Sequence, residues 1–235
     1  MASATVHRVL VVEDEALDRA FVAEALRSPS HEVIEAGDAS GARHVLAHQH
    51  VDLVILDLVL PDQHGLEFLA GIRVSDPVPV LVLSGTTAVS ERIAALRVGA
   101  DDFVVKPVDP GELSARCGAL LRRAGQGVRL ATRGAARVRG PGFMLDVDRR
   151  EVAVDDAPVD LTPIEFELLA YLAARGGQVV SRAELGREVW KAPAGRDIAA
   201  TVTEHVRRVR LKIGDGTHGR QRLRTVRGIG YRLVL

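Results

Sequence analysis

Five polar side chains lie at the ends of apolar runs in the first half of the chain. Glu13 and Asp14 end the first run, Asp57 the third, Ser84 the fourth and Lys106 the fifth. A carboxylate such as Asp57 is costly to bury unless a cation or a hydrogen-bond donor pairs with it. Because the carboxyl ends of parallel strands meet at one edge of a sheet, we expect these five side chains to lie close together there.

The chemistry that such a group could perform involves phosphate. Three neighbouring carboxylates repel one another and favour a hard divalent cation with oxygen ligands, for which Mg²⁺ is the first candidate. Lys106 supplies a positive charge for phosphoryl oxygens, and Ser84 supplies a hydroxyl donor. The sequence therefore predicts a phosphoryl site in which a magnesium ion and a lysine compensate the charge of Asp57.

The elements that must position these side chains alternate between strand and helix patterns. Such alternation predicts βαβ units with right-handed crossovers, and hence a doubly wound α/β domain whose five-stranded parallel sheet is covered on both faces. The apolar runs that predict its strands lie at 8–12, 33–35, 53–57, 80–84 and 102–105. In the first helical pattern, apolar residues recur on one face at Leu17, Ala20, Phe21 and Ala25.

Opposite charges in the two halves of the chain cancel to a net charge of zero. Residues 1–123 carry a net charge of −7 and residues 124–235 carry +7, and the whole basic excess lies in residues 196–235. This asymmetry indicates a polyanion-binding domain attached to an acidic one. No apolar run is long enough to span a membrane, and a single cysteine, Cys117, fits a reducing cytoplasm.

The second half begins with a segment rich in glycine, alanine and arginine, 124–140. We interpret this segment as a linker between a domain at 1–123 and a domain at 141–235. Two strand patterns follow the linker, then three helical patterns, then two further strands. This order is typical of a winged helix-turn-helix domain of the α+β class. The four strands are predicted near 143–147, 151–154, 222–226 and 231–234.

The starts of the three helices are marked by capping residues. Thr162-Pro163-Ile164-Glu165 combines a threonine cap, a proline at the first position and a glutamate at the third, which together form a capping box. Ser181 and Glu184 form a second box, and Asp197 is expected to cap the third helix, which runs to about Ile213. Gly176 is expected to end the first helix.

The third helix has an apolar stripe and a charged face. The stripe should face the core and consists of Val202, Val206, Val209 and Ile213. The opposite side carries Glu204, Arg207 and Arg208, flanked by Thr203, His205, Arg210 and Lys212. Arginine can donate two hydrogen bonds to guanine, so this face suits a recognition helix in the major groove of DNA. A solvated, salt-bridged helix face is the alternative interpretation.

The first 123 residues resemble the receiver domain of two-component response regulators. The resemblance lies in VVEDE at 11–15, LDLVLPDQHGLEFL at 56–69, LSGTT at 83–87 and GADDFVVKP at 99–107. It implies a CheY-like, flavodoxin-like fold in which Asp57 accepts a phosphoryl group from a phosphohistidine of a sensor histidine kinase. The remaining site residues that it implies are Mg²⁺ ligands (Glu13, Asp14, Asp57 and the carbonyl of Val59), a phosphoryl contact (Lys106) and a switch pair (Ser84 and Phe103).

Residues 143–235 resemble the winged helix of the OmpR/PhoB type, chiefly in RRVRLKIGD and TVRGIGYRL. This resemblance implies that Arg208 contacts bases. The further DNA contacts that it implies are His205, Arg207 and Arg210 on the helix, and Thr225, Arg227 and Tyr231 on the wing. Two residues depart from the family pattern, because Ala200 stands where many relatives have an arginine and Glu204 where a small apolar residue is common.

Regulators of this family also pair through the fourth helix, fifth strand and fifth helix of the receiver. Arg97 and Gly118 replace a common acid and a common base there, so one family ion pair is lost. The resemblance implies a homodimer formed on phosphorylation, which binds tandem half-sites of double-stranded DNA and has RNA polymerase as a further partner. The matching interface residues are Arg92, Asp101, Asp102, Glu112, Arg116 and Arg123.

The sequence thus predicts a cytoplasmic DNA-binding transcription regulator that is switched by phosphorylation and is not an enzyme. The alternative is a phosphorylation-independent DNA-binding regulator whose receiver serves only for dimerisation. An aspartyl-phosphate phosphatase is disfavoured because Val59, two residues after Asp57, is not an acid. A dinucleotide-binding enzyme is disfavoured because VVEDEA, at the end of the first strand, has no glycine-rich loop.

Overall fold

The computed structural model of the chain describes residues 6–125, 137–192, 198–215 and 221–235. The chain divides into two compact units, Met1–Ala124 and Gly125–Leu235. No helix within the described ranges is both long enough and apolar enough to cross a membrane.

A five-stranded parallel sheet forms the centre of the N-terminal unit. Its strand order is β2-β1-β3-β4-β5, and every neighbouring pair runs parallel. This topology confirms the prediction of a doubly wound α/β domain. The strands are β1 (His7–Val12), β2 (His31–Ala36), β3 (Leu53–Leu56), β4 (Val80–Ser84) and β5 (Asp102–Val105). The helices are α1 (Ala16–Ala25), α2 (Ala39–His48), α3 (Gly65–Ser75), α4 (Val89–Val98) and α5 (Pro110–Gly125).

Strand β3 is apolar at every position because helices cover both faces of the sheet. Val54 and Leu56 pack on one side, in a core that includes residues of α2, α3 and α4. Leu53 and Ile55 pack on the other side, in a core that includes residues of α1 and α5. Alternate residues of a strand face opposite sides, so both cores hold β3 in place and fix the position of the residue that follows it.

Helix α1 packs on the sheet through a different stripe from the one that the spacing suggested. Leu17 and Phe21 are 83% and 42% exposed, whereas Val22 and Leu26 are buried. The helix has two apolar stripes one residue apart, and Ala25 lies at the edge of the buried one. Helical spacing alone did not distinguish the covered stripe from the exposed one.

The C-terminal unit combines three helices with two small antiparallel sheets. The stripe predicted for its third helix is confirmed, because all four of its residues are buried in the core of this unit. The sheets have the orders β6-β7-β8-β9 and β10-β12-β11. The strands are β6 (Arg137–Gly140), β7 (Phe143–Asp146), β8 (Glu151–Val154), β9 (Ala157–Pro158), β10 (Val180–Ser181), β11 (Leu223–Val226) and β12 (Gly230–Leu233). The helices are α6 (Pro163–Ala174), α7 (Arg182–Glu188) and α8 (Ala199–Lys212).

The predicted linker extends too far towards the C-terminus. Residues 137–140 pair with Phe143–Asp146 as strand β6, so they belong to the four-stranded sheet. Strands β9 and β10 were also missed, because two residues are too short to show a period. The C-terminal domain therefore begins before residue 141.

The capping signals are confirmed where the structure describes them. Thr162 and Glu165 form the capping box that begins α6, and the Ser181 side chain accepts a hydrogen bond from the Glu184 backbone at the start of α7. Gly176 follows α6 with a φ of 56°, a left-handed conformation that favours glycine. The proposed cap Asp197 lies outside the described residues.

Candidate functional site

The carboxylate of Asp57 lies beside the ammonium of Lys106 at the carboxyl edge of the parallel sheet. Asp57 Oδ2 is 2.5 Å from Lys106 Nζ, and Asp57 Oδ1 accepts a hydrogen bond of 2.8 Å from the backbone N–H of Val59. Asp57 is only 6% exposed, so this cation compensates a buried negative charge. The two residues follow β3 and β5, and the prediction that these strand ends meet is confirmed.

Lys106 also pairs with two further carboxylates. Its Nζ is 2.6 Å from Glu13 Oε2 and 2.9 Å from Asp18 Oδ2. Although partial burial opposes it, the hydrogen bonds to Asp57, Glu13 and Asp18 hold the pKa of Lys106 above its usual range. Burial raises the pKa of Glu13 to about 7 despite the hydrogen bond from Lys106. The lysine therefore stays protonated at the centre of an acidic group.

Asp18 is a site residue that the sequence analysis missed. It lies in the first turn of α1, and its side chain is half exposed. The first turn of α1 directly follows the acidic pair at the end of β1, so a search for acids in that turn could have identified it.

Two contacts hold the acidic segments in position. Gly65 begins α3 so close to the end of β3 that a Cβ atom on it would lie 2.5 Å from the carbonyl oxygen of Asp57. Only glycine permits this approach, which lets α3 begin beside the backbone of Asp57 and Leu58. Arg19 donates hydrogen bonds of 2.7 Å and 3.1 Å to the backbone carbonyls of Glu13 and Asp14 and so fixes the loop after β1.

The oxygen atoms around Asp57 are of the kind that magnesium prefers. Four carboxylates surround the charge of Lys106 at this edge of the sheet, so a cation would reduce an excess of negative charge. They belong to Glu13, Asp14, Asp18 and Asp57. Among the described residues, no three histidine, cysteine, aspartate or glutamate side chains are arranged as a ready metal-binding group. Asp14 is exposed, and Lys106 Nζ contacts the two buried carboxylates directly. Carboxylate oxygens are suitable ligands for Mg²⁺, but in this structure the buried carboxylates of Glu13 and Asp57 bind Lys106.

The predicted switch pair is buried beside the site. Ser84 ends β4, is 2% exposed, and accepts a hydrogen bond from the backbone of Thr86. Phe103 in β5 is 5% exposed and packs in the core that contains Leu56 and Leu96. The ring of Phe103 is therefore already inside the domain, and a switch that uses this pair does not require the ring to turn inward.

Arg208 does not lie on the exposed face of the recognition helix, and its predicted placement is wrong. Its side chain is 7% exposed, and its Nη2 lies 2.6 Å from Oε1 of the fully buried Glu165 on α6. Lys212 approaches the other oxygen of Glu165 at 2.8 Å. Although burial opposes it, the charges of Arg208 and Lys212 hold the pKa of Glu165 below its usual range. Arg208 thus ties α8 to α6 inside the domain.

Two other predicted DNA contacts are also buried. His205 has no exposed surface, and its Nδ1 lies 2.9 Å from the carbonyl of Thr201. Tyr231 is 2% exposed, and its hydroxyl lies 3.2 Å from Oγ1 of Thr203. The sequence placed both at the edge of the DNA-binding surface, but packing against the helices covers them. Glu165 is the partner that sequence reasoning did not anticipate, because the capping box already accounted for its side chain.

The remaining predicted contacts lie at the surface. Arg207 is half exposed, and its Nε donates to Glu204 Oε2 at 2.9 Å. Arg210 donates from Nη2 to Thr225 Oγ1 at 2.8 Å and from Nε to the carbonyl of Leu223, which connects α8 to the wing. Thr225 and Arg227 are exposed on that wing. The exposed basic surface therefore consists of one side of α8 and the adjoining hairpin.

The charged residues of the expected dimer face make contacts within the chain. Asp101 is fully buried, and its Oδ2 lies 2.8 Å from both Arg73 Nη2 and the backbone nitrogen of Val80. Its expected role on an exposed interface is therefore wrong. Asp102 Oδ2 lies 3.0 Å from Arg116 Nη1.

Three residues complete the expected face. Arg116 also binds Glu112 one turn earlier on α5. Arg92 on α4 is partly buried, and its Nε is among the buried side-chain nitrogens that have no hydrogen-bond partner in the described structure. The side chain of Arg123 lies outside the described part of the chain.

Models of two protein families match the two units. The response regulator receiver domain matches residues 9–117, and the C-terminal domain of transcriptional regulatory proteins matches residues 156–233. The first match contains every residue of the Asp57 site, and the second contains α6, α7, α8 and the wing.

Several known proteins are similar over almost the whole chain. The probable transcriptional regulatory protein TcrX of Mycobacterium tuberculosis is 39% identical over 224 residues, which cover 95% of this chain and 93% of TcrX. The sensory transduction protein RegX3 of Mycolicibacterium smegmatis is 35% identical, with coverage of 96% and 98%. The crystal structure of DrrB, an OmpR/PhoB homologue of Thermotoga maritima, aligns with 98% of this chain and 100% of its own at 25% identity and a TM-score of 0.51.

Proposed function

Because this chain belongs to the OmpR/PhoB-type response regulators, we propose that Asp57 accepts a phosphoryl group from a sensor histidine kinase and thereby controls DNA binding by the C-terminal domain. The chain is a DNA-binding transcriptional response regulator of a two-component system, and not an enzyme. The observation that carries the proposal is the buried contact between Asp57 and Lys106 at the carboxyl edge of the sheet.

The transfer uses a carboxylate oxygen of Asp57 as the nucleophile. This oxygen attacks the phosphorus of a phosphohistidine, a P–O bond forms as the P–N bond breaks, and the imidazole leaves to take up a proton. The ammonium of Lys106 stabilises the negative charge on the phosphoryl oxygens, and the hydroxyl of Ser84 can donate to one of them. The N–H of Val59 orients the carboxylate through its hydrogen bond to Oδ1.

Receiver domains generally bind Mg²⁺ at their phosphorylation site, and we propose the same here. Glu13, Asp14 and Asp57 would hold the ion together with the carbonyl oxygen of Val59. When bound, the ion supplies positive charge that offsets the charge of the transferring group. Lys106 would then release Glu13 and remain available for phosphoryl oxygens.

The family implies two partners, a sensor kinase and DNA, and we propose three further features. The phosphorylated chain forms a homodimer through the face that includes Arg116, and it binds tandem half-sites. RNA polymerase is its target at promoters. The cytoplasm is its compartment because its DNA partner is there. In the DNA-bound state Arg207, Arg210, Thr225 and Arg227 face the duplex, because these are the predicted contacts that are not buried.

Phosphorylation of an Asp57→Asn variant tests the proposal. The parent chain, incubated with acetyl phosphate and Mg²⁺, should gain one phosphoryl group by intact mass spectrometry, and the variant should gain none while keeping its circular dichroism spectrum. Glu24→Gln, a change at an exposed pair on α1, serves as the control and should be phosphorylated like the parent. Phosphorylation of the Asn variant to the same extent would refute the assignment of Asp57.

DNA binding by the same samples distinguishes the main proposal from its alternative. If phosphorylation of the parent raises its affinity for DNA, the receiver acts as a switch. If the parent takes up phosphate and its affinity for DNA does not change, the chain is the phosphorylation-independent regulator, and its receiver serves another purpose such as dimerisation.

A further inference from the structure

Two adjacent arginines on the recognition helix α8 have opposite environments. Arg208 is almost completely buried, whereas the side chain of Arg207 is 43% exposed. They differ by about 100° in direction around the helix axis, and only Arg207 has enough exposed surface to reach a groove. One of them is therefore available to a base and the other is not.

Arg208 directs both ends of its guanidinium into the domain. Nη2 contacts Glu165, and Nη1 lies 3.4 Å from Nε2 of the buried His205. To reach DNA, Arg208 would have to leave the carboxylate of Glu165 in a site without solvent, with only part of its charge compensated by Lys212. Such a separation is costly, so Arg208 stays inside when DNA binds.

Arg207 is held by one side of its guanidinium and free on the other. Its Nε donates to Oε2 of Glu204, whose own side chain is 10% exposed. In the described part of the chain, no hydrogen bond is made by Nη1 or Nη2 of Arg207. These two groups form the end of the fork that can donate to N7 and O6 of a guanine.

We propose that Arg207, and not Arg208, is the arginine of α8 that specifies a guanine, and that Glu204 is the positioning residue that orients it. The carboxylate of Glu204 binds the Nε side of the guanidinium and leaves the two terminal nitrogens without a hydrogen bond in the described structure. The inference rests on the proposed DNA binding by α8.

Two neighbours make Arg207 the prominent long side chain on this face. Ala200 lies about two turns before Arg207 on the same side of the helix, and its side chain is too short to reach a base edge. Arg210 is bound to Thr225 and the carbonyl of Leu223 on the wing. Glu204 departs from the family pattern, and this departure acquires a role because its carboxylate binds and orients the guanidinium of Arg207.

A matched pair of lysine substitutions tests which arginine specifies the base. Each full-length variant, phosphorylated with acetyl phosphate, is used to select from a pool of random DNA duplexes. Arg207→Lys should reduce the preference for guanine at one position by roughly 5- to 150-fold, because lysine keeps the charge and loses the bidentate geometry. Arg208→Lys keeps a cation against Glu165 and should retain the base preferences of the parent. Loss of preference in Arg208→Lys alone would overturn the proposal.

Glu204→Ala tests the positioning role. It should relax the preference at the same position by about 5-fold, within the range of one bidentate contact. The double variant Glu204→Ala/Arg207→Lys should lose no more than Arg207→Lys, because Glu204 acts through Arg207. Glu204→Gln keeps a hydrogen-bond acceptor and should restore part of the preference. A full parental preference in Glu204→Ala would remove Glu204 from the proposal even if Arg207 specifies the base.

Arg227→Ala on the wing is the control for loss of a phosphate contact, since it should weaken binding to all sequences alike and lower the salt dependence of binding. A parent chain that selects no sequence from the pool would instead refute DNA recognition by α8 itself, and this inference with it. The two failures are distinguishable. If the inference alone fails, the parent still selects a DNA sequence and Arg207→Lys selects the same sequence.

Discussion

The guanidinium of Arg208 lies 2.6 Å from the carboxylate of Glu165, a side chain with no exposed surface. The same carboxylate accepts a hydrogen bond from the backbone of Thr162 and so closes the capping box of α6. One buried acid therefore connects the start of α6 with the middle of the recognition helix. This contact makes Arg208 part of the framework that fixes the angle between the two helices.

Replacement of Arg208 by alanine should destabilise the C-terminal domain by about 1–3 kcal/mol, because one oxygen of the buried Glu165 loses its partner and only Lys212 remains beside the carboxylate. The unfolding can be followed in urea by the fluorescence of Trp190, the single tryptophan of the chain, which is 4% exposed in this domain. Arg207→Ala, at an exposed pair on the same helix, should change the stability by about 1 kcal/mol or less. Equal, small losses for both variants would contradict the structural role of Arg208.

Acid should weaken the same contact. The pKa of Glu165 is held below its ordinary value of 4.5, so its ionised form contributes stability above pH 4.5. That contribution is lost as the pH falls through the lowered pKa of the folded state. Glu165→Gln cannot titrate, and its stability should fall less steeply than that of the parent below pH 4.5, as measured by urea unfolding of Trp190. Parallel pH profiles would show that Glu165 does not carry this dependence.

The meeting of side chains at the strand ends of the receiver domain could be predicted from the sequence, because one rule of sheet topology determines where those ends lie. Each apolar run is short, and in a parallel sheet all carboxyl ends lie at one edge, so the meeting of Asp57 with Lys106 required no knowledge of side-chain conformation. The capping box at Thr162 was equally local, since all its atoms lie within four residues. Both predictions depended on the backbone and on near neighbours.

The directions of long side chains could not be predicted in this way. Arg208 lies only about 100° around the helix from Arg207, and what decides its direction is a buried acid on another helix. Asp101 likewise turns inward because Arg73, from α3, binds it. A helical wheel places a Cβ atom, but the choice between solvent and an ion pair is made by residues distant in sequence.

Asp18 offers a test of the charge balance at the phosphorylation site. Asp18→Asn removes one of the four carboxylates around Lys106, which lowers the negative charge that attracts Mg²⁺. Lys106 can then pair more closely with Glu13 and Asp57, which should also weaken Mg²⁺ binding. Because Asp18 is half exposed, we expect a loss of affinity of about 5-fold or less, as measured by calorimetric titration. Glu24→Gln removes an exposed charge from the same helix and should leave the affinity unchanged. Unaltered binding by Asp18→Asn would exclude it from the metal site.

The last prediction concerns Arg116, which contacts Asp102 within the chain at 3.0 Å. Arg116→Glu places a second acid beside the buried Asp102. The face that includes both residues then carries more negative charge and should repel the same face of a second receiver domain. The variant, once phosphorylated, should dimerise less than the parent in sedimentation experiments. It should also lose affinity for two half-sites about 10 bp apart, because tethering of two winged helices adds avidity. Arg27→Glu, an equal charge reversal at an exposed position just after α1, is the matched control.

A single half-site separates loss of dimerisation from damage to the DNA-binding domain. Each chain contacts such a site alone, so the parent and Arg116→Glu should bind it equally, and both should take up phosphate from acetyl phosphate to the same extent. Arg27→Glu should dimerise like the parent, since Arg27 lies outside the face formed by α4, β5 and α5. If Arg116→Glu dimerises and binds paired half-sites as the parent does, the phosphorylated chain does not use this face.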